Sequence, residues 1–213
     1  MLDTFGFPTP QEANYQEFYG GGSAPDSTNT VRDWVKPRGV SMVRILLIGA
    51  GSAGRNGSAG TGGAGGSSGA VTQWIGPAIF IPDVLRVSIG TGGVASQQTG
   101  TSSNIIYQGK DGTGYTLLTA NGGSGSGGAA SGNNYFGAAG IFKSIAGQNG
   151  AVAGGSITAS TTTFLSGGAG GGGSAGGAGA SVNCNYGYPT ITGGVGTTAG
   201  VGKNGFFLTQ PIM

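Results

Sequence analysis

Apolar positions along this chain fall in short runs, separated by long stretches of glycine, serine, alanine and threonine. Residues 43–48 read V-R-I-L-L-I, alternating at first and then solidly apolar, as expected of a strand covered on both faces. Just upstream, W-V-K-P-R-G-V predicts an edge segment containing Pro37, then a turn at Arg38 and Gly39. Residues 70–76 alternate, with Val71, Gln73 and Ile75 set against Thr72 and Trp74. Residues 78–90 read as two short strands broken by the turn pair Pro82-Asp83. Residues 104–109 and 115–123 add two more strands, with Lys110, Asp111 and Gly112 as the hairpin turn between them. A last strand covers 204–210, N-G-F-F-L-T-Q. No stretch of about ten residues carries the i, i+3, i+4 apolar spacing of a helix. The pattern predicts an all-β fold, a small β-sandwich, with the strands at Val43 and Phe206 paired in one sheet. The glycine-rich stretches would then project from one end as long loops.

Glycine changes this picture most. It supplies 51 of 213 residues, where a usual share is about 7%. Gly51, Gly54, Gly57, Gly60, Gly63, Gly66 and Gly69 recur at every third position. The same phase returns at Gly122, Gly125 and Gly128, at Gly147 and Gly150, and at Gly167, Gly170, Gly173, Gly176 and Gly179. A further run, Gly193, Gly196, Gly202 and Gly205, has Ala199 in its empty slot. Three residues per turn is the period of polyproline II, whose backbone N–H and C=O groups are free to bond to neighbours. In that conformation such a run presents one face of bare glycine, so adjacent backbones can approach closely. Collagen uses the same steric fact but needs abundant proline, and these runs contain none. The pattern predicts glycine-rich polyproline II loops, hydrogen-bonded side to side into a bundle at one end of the sandwich. A flexible linker would share the composition but gains nothing from strict phase.

Residues 49–54 also fit G-x-G-x-x-G after a strand, the fingerprint of a dinucleotide site. That site needs a helix next, and residues 57–69 contain seven glycines. Nor does an acidic residue stand near 70–74 to hold a ribose. No cofactor is expected. The sequence contains no histidine and one cysteine, Cys184, read as a small buried residue. Asp33, Asp83 and Asp111 sit on separate turns and form no acid/base pair, so an enzyme is not expected. The net charge of +2 gives no sign of a nucleic-acid partner. The N-terminus shows no basic segment followed by an apolar run, so no export signal is read. No apolar run approaches the ~20 residues of a membrane helix, so no membrane insertion is expected.

Residues 1–30 read as an extended arm and linker, and 31–213 as the glycine-rich β domain. The arm carries Phe5, Phe7, Tyr15, Phe18 and Tyr19, with Pro8 and Pro10 favouring an extended chain. Aromatics on an extended segment suit docking against a partner. The alternative is that they pack on their own sandwich. Tyr135, Phe136, Tyr186 and Tyr188 interrupt the glycine stretches and are candidates for contact with a receptor, or else for stapling the bundle. The strands offer few large apolar side chains for so long a chain, and a homo-oligomer is expected.

The order of several motifs resembles the glycine-rich domains of bacteriophage structural proteins. W-x-x-P-x-G-V (Trp34, Pro37, Gly39, Val40) is followed by V-x-I-x-x-I-G (Val43, Ile45, Ile48, Gly49). Then come P-x-x-L-x-V-x-I-G-x-G-G (Pro82, Leu85, Val87, Ile89, Gly90, Gly92, Gly93) and L-L-x-A-x-G-G (Leu117, Leu118, Ala120, Gly122, Gly123). The glycine and apolar residues at 205–208 close the series, so the resemblance runs over residues 31–210. It implies a virion surface protein, assembled in the host cytoplasm: a capsid decoration or spike, or a fibre-tip component. It also implies a capsid or tail protein of the same virion as partner, and a host glycan or protein as receptor. A secreted or cell-wall glycine-rich structural protein stays open as the other reading.

Overall fold

The computed structural model describes residues 16–20, 29–54, 64–93, 99–124, 128–130 and 139–150, and the backbone of 206–212. Among the described residues nine strands are formed: β1 (Gln16–Tyr19), β2 (Thr30–Val35), β3 (Met42–Ile48), β4 (Val71–Pro77), β5 (Val84–Ile89), β6 (Ser103–Gln108), β7 (Gly114–Ala120), β8 (Ile141–Ile145) and β9 (Phe206–Ile212). They make two antiparallel sheets, ordered β1-β9-β3-β4-β8 and β2-β5-β6-β7. The fold is all-β, as the apolar pattern predicts, and β3 pairs with β9 from Ile48 opposite Phe206 to Met42 opposite Ile212.

The core between the sheets takes alternate side chains from the strands whose side chains are described. Val43, Ile45 and Leu47 of β3 and Trp74 of β4 meet Trp34 of β2, Leu85, Val87 and Ile89 of β5, Ile105 of β6 and Leu118 of β7. Leu46 and Ile48 are also buried, so the solid apolar half of β3 is covered on both faces, which is why its alternation disappears. Leu117 and Leu118 are adjacent in β7 yet both buried. A β-bulge explains this: Leu118 opposes Ile105 and Thr116 opposes Ile106, which leaves Leu117 as the extra residue. Two hydroxyls tie the layers together. Thr72 Oγ1 donates to the Thr119 carbonyl (2.7 Å), and Ser103 Oγ donates to the Ile48 carbonyl (2.7 Å).

The β6–β7 hairpin turns where the sequence places it. Gly112 adopts φ 81°, and its N–H donates to Gly109 C=O (3.0 Å). The Thr113 N–H and hydroxyl donate to Asp111 and hold its carboxyl below the usual range. Residues 78–81 depart from expectation. The first of the two short strands does not form there; Ala78–Phe80 is instead a 3-10 turn between β4 and β5. Lys36 supplies the reason. Its ammonium donates to the Ala78 and Ile81 carbonyls (3.3 and 2.8 Å) and pairs with Asp83 (2.8 Å), holding the chain in a turn.

β1 belongs to the five-stranded sheet, so this part of the N-terminal arm is also a strand of the domain. The Tyr19 hydroxyl donates to the Glu17 carboxylate two residues away on the same face. That bond, with smaller effects from partial burial and the Glu17 charge, raises the Tyr19 pKa from 10.0 to about 12. A folded-state value above the unfolded one stabilises β1 below pH 10, and the contribution is lost as pH rises through about 12. Titration of tyrosinate absorbance is expected to show one late-ionising tyrosine that Glu17→Gln returns toward 10.0. An unchanged profile would remove the hydrogen bond from the account.

Candidate functional site

Strand directions put the described glycine-rich segments at one end. Antiparallel pairing places the C-terminal ends of β3, β5, β7 and β8 beside the N-terminal ends of β4, β6 and β9. Segments 49–54, 64–70, 91–93, 99–102, 121–124, 128–130 and 146–150 leave or enter the strands there. The opposite pole carries the β2–β3 connection, the 78–83 turn and the β6–β7 hairpin.

At the glycine pole these segments bond to one another through the backbone. Gly49 N–H donates to Ala70 C=O (2.9 Å), and Ala70 N–H to Asn121 C=O (2.8 Å). Gly123 N–H donates to Ala50 C=O (2.7 Å), Gly100 N–H to Gly123 C=O (2.9 Å) and Gly93 N–H to Gly51 C=O (2.9 Å). Gly128 N–H reaches Ser68 C=O (3.0 Å), and Gly147 N–H reaches Gly128 C=O (2.8 Å). Serines complete the lattice. Ser52 and Ser67 bond reciprocally, the Ser52 N–H to Ser67 C=O (2.9 Å) and the Ser67 N–H to Ser52 Oγ (2.7 Å). Ser68 and Gln148 repeat the pattern, with Ser68 N–H to Gln148 C=O (3.0 Å) and Gln148 N–H to Ser68 Oγ (2.8 Å). Backbone groups that would otherwise be orphaned thus find partners in neighbouring segments.

Glycine is required here by close approach. Among the described residues only Gly39 and Gly112 have positive φ. A Cβ at Gly66 would overlap the Ser52 carbonyl, one at Gly69 the Gly49 carbonyl, and one at Gly122 the Gly100 carbonyl. At Gly147 and Gly150 it would strike the carbonyls of Ser68 and Gly65. These five belong to the period-three runs, and at each of them another backbone lies against a glycine with no side chain to hold it off. The later runs, at 167–179 and 193–205, lie outside the described residues.

The described residues of the G-x-G-x-x-G stretch, 49–54, are not helical. Among the described residues no group of three or more His, Cys, Asp and Glu could hold a metal ion. No helix among them is long and apolar enough to cross a membrane. Of the aromatic candidates, Phe18 is partly buried and packs against the core, while Tyr19 is 59% exposed. Phe5, Phe7, Tyr15, Tyr135, Phe136, Tyr186 and Tyr188 lie outside the described residues.

The far pole carries a feature that the apolar pattern does not announce. Val35, Ile79, Phe80 and Val84 are 59%, 83%, 54% and 52% exposed. Val35 and Val84 are cross-strand partners, and Ile79 and Phe80 ride on the turn fixed by Lys36. The signal that could have found it lies in the two prolines, Pro77 and Pro82, that bracket the four residues 78–81.

No curated protein matches this chain. A family model described as a glycine-rich domain matches residues 23–208, which runs from β2 to the first three residues of β9 and takes in the lattice between them. The chain therefore belongs to the glycine-rich domain family.

Proposed function

We propose that this chain is a non-enzymatic structural protein of a bacteriophage virion surface, a capsid decoration or spike or a fibre-tip component. Its N-terminal arm anchors it to a capsid or tail protein of the same virion. The glycine-rich pole, a bundle of polyproline II loops in this reading, points outward, toward a host surface glycan or protein. Tyr135, Phe136, Tyr186 and Tyr188 are the proposed contacts, and copies of the chain associate on the particle.

One observation carries the reading: the domain is polarised. Tyr19 pairs with Phe206 at the glycine end, and Gln16 with Thr209, so the chain enters β1 from the direction of the opposite pole. That direction supports a reading in which the residues before β1 serve the end of the sandwich away from the glycine lattice. The lattice supports display because its backbone hydrogen bonds and closely packed glycines fix a surface before any partner arrives, which lowers the ordering cost of binding.

The test is incorporation into particles produced with a chain lacking residues 1–15, which keeps β1. Incorporation should be largely lost while circular dichroism of the isolated domain stays that of the full chain. Undiminished incorporation rules out the arm as anchor. Export of the chain from cells without particles would favour the secreted reading.

A further inference from the structure

We propose that the apolar pole is a seat for the chain's own N-terminal segment, with Phe5 and Phe7 lying on Val35, Ile79, Phe80 and Val84. The inference does not rest on the virion reading.

The seat is preformed. Val35, Pro37, Arg38, Val40, Ala78 and Ile79 line a concavity between the β2–β3 connection and the 78–83 turn. Lys36 locks the two walls together through Ala78, Ile81 and Asp83. Four large apolar side chains that stay more than half exposed beside such a concavity form the kind of patch that marks a docking site.

Strand geometry selects the occupant. Gln16 sits level with Thr209, which is level with Ile45 and Trp74. Pro77, where the 3-10 turn begins, is three residues nearer the pole, a rise of about 10 Å. Three strand spacings separate β1 from β4 across the sheet, about 14 Å. Phe7 precedes Gln16 by nine residues, which span up to about 30 Å when extended. Both Phe7 and the more distant Phe5 therefore reach the turn, and the chain already heads toward that pole. β2 lies on the same flank as β1, since β5 contacts β9 and β7 contacts β4. Val35, at the polar end of β2, is thus beside the arm's line of approach. Charge agrees: residues 1–15 contain Asp3 and Glu12 and no basic side chain, while Arg38 lines the concavity. Seating and anchorage use the same aromatics, so an anchored copy would have lifted its segment from the seat.

The experiment is disulfide trapping in the full chain. Phe7→Cys is combined with Ile79→Cys, or with Ile141→Cys as a control on the opposite flank, both with Cys184→Ala. Dilute protein is oxidised and read by non-reducing electrophoresis and mass spectrometry. An intramolecular bond to position 79, formed faster than to position 141, is the expected result. Equal trapping at both positions overturns the seat, and so does a bond formed only between chains, which would assign the patch to a second copy. A second measurement needs no cysteines: anilinonaphthalene sulfonate should fluoresce more with a chain lacking residues 1–15, and Phe80→Ser should abolish the gain. Equal fluorescence of the two chains overturns the proposal.

Discussion

Gly122→Ala is expected to destabilise the domain by roughly 3 kcal/mol, at the upper end of what overpacking costs. The new Cβ would overlap the Gly100 carbonyl oxygen and stand 2.6 Å from that of Thr101. Both obstacles are backbone, so no side chain can swing aside. Nor can their segment drift away, because Gly100 N–H is bonded to Gly123 C=O and Thr101 N–H to Thr91 C=O (2.9 and 3.0 Å). Relief requires breaking such bonds, each worth about 1 kcal/mol and more if a buried group is left unpaired. In thermal unfolding the change should lower Tm by roughly 6–12 °C for a chain of this size. The comparison is Gly112→Ala, where nothing lies within 4 Å but φ is +81°. That substitution meets only left-handed backbone strain, about 1–2 kcal/mol. A Gly122→Ala cost no greater than that of Gly112→Ala would mean that segments 99–102 and 121–124 do not lie against each other. Hydrogen exchange gives the same test locally, since the Gly123 amide should exchange slowly in the parent and quickly in Gly122→Ala.

Period was the legible quantity in this sequence. Alternation located the central strands but neither β1 nor β8, and the solid run 45–48 announced a strand covered on both sides, which β3 is. The period of three located glycines that pack against other backbones, because a residue that must be bare on one face leaves its mark at each repeat. Residues whose environment comes from distant partners left no such mark. The 78–81 stretch is apolar enough for a strand, and bonds from Lys36, more than 40 positions away, and from Ala78 N–H to Ser41 C=O (2.8 Å) help hold it as a turn with Ile79 and Phe80 exposed. In the same way, nothing local assigns β2 and β3 to different sheets, although only the short 36–41 connection separates them. Among the arm aromatics, Phe18 and Tyr19 are sequence neighbours, and strand alternation turns one toward the core and the other out. The chemistry of recognition was the least legible, because aromatic candidates carry no spacing that separates a receptor contact from a staple.

Trp74→Ala should cost about 3–5 kcal/mol, as expected for a large aromatic removed from a core that cannot collapse around the space. Trp74 is completely buried at the centre of β4, opposite Ile45 of β3 and Phe142 of β8. Two glycines make room for its indole. A Cβ on Gly140 would lie 2.9 Å from ring atoms, and one on Gly76 would overlap Cζ2 of the six-membered ring and lie 2.7 Å from Cη2. With the ring gone, these bare positions cannot fill the cavity, so the loss should sit at the high end for its type. Denaturant unfolding followed by Trp34, the one tryptophan remaining of two, measures it. The double mutant tests the geometry more closely. Gly76→Ala alone should destabilise, because its methyl meets the ring and, at 2.9 Å, the Ala139 carbonyl oxygen. In the Trp74→Ala background most of that penalty should vanish, giving a favourable coupling of about 1–2 kcal/mol. Simple additivity would mean that Gly76 is not there to clear the indole. The consequence extends to the glycine pole, since β4 continues directly from segment 64–70, whose Ala70 N–H is bonded to Asn121. A core loosened at Trp74 should therefore release the lattice as well, with faster exchange of the Gly49 and Ala70 amides, and a lattice left protected would show that the two ends of the sandwich unfold independently.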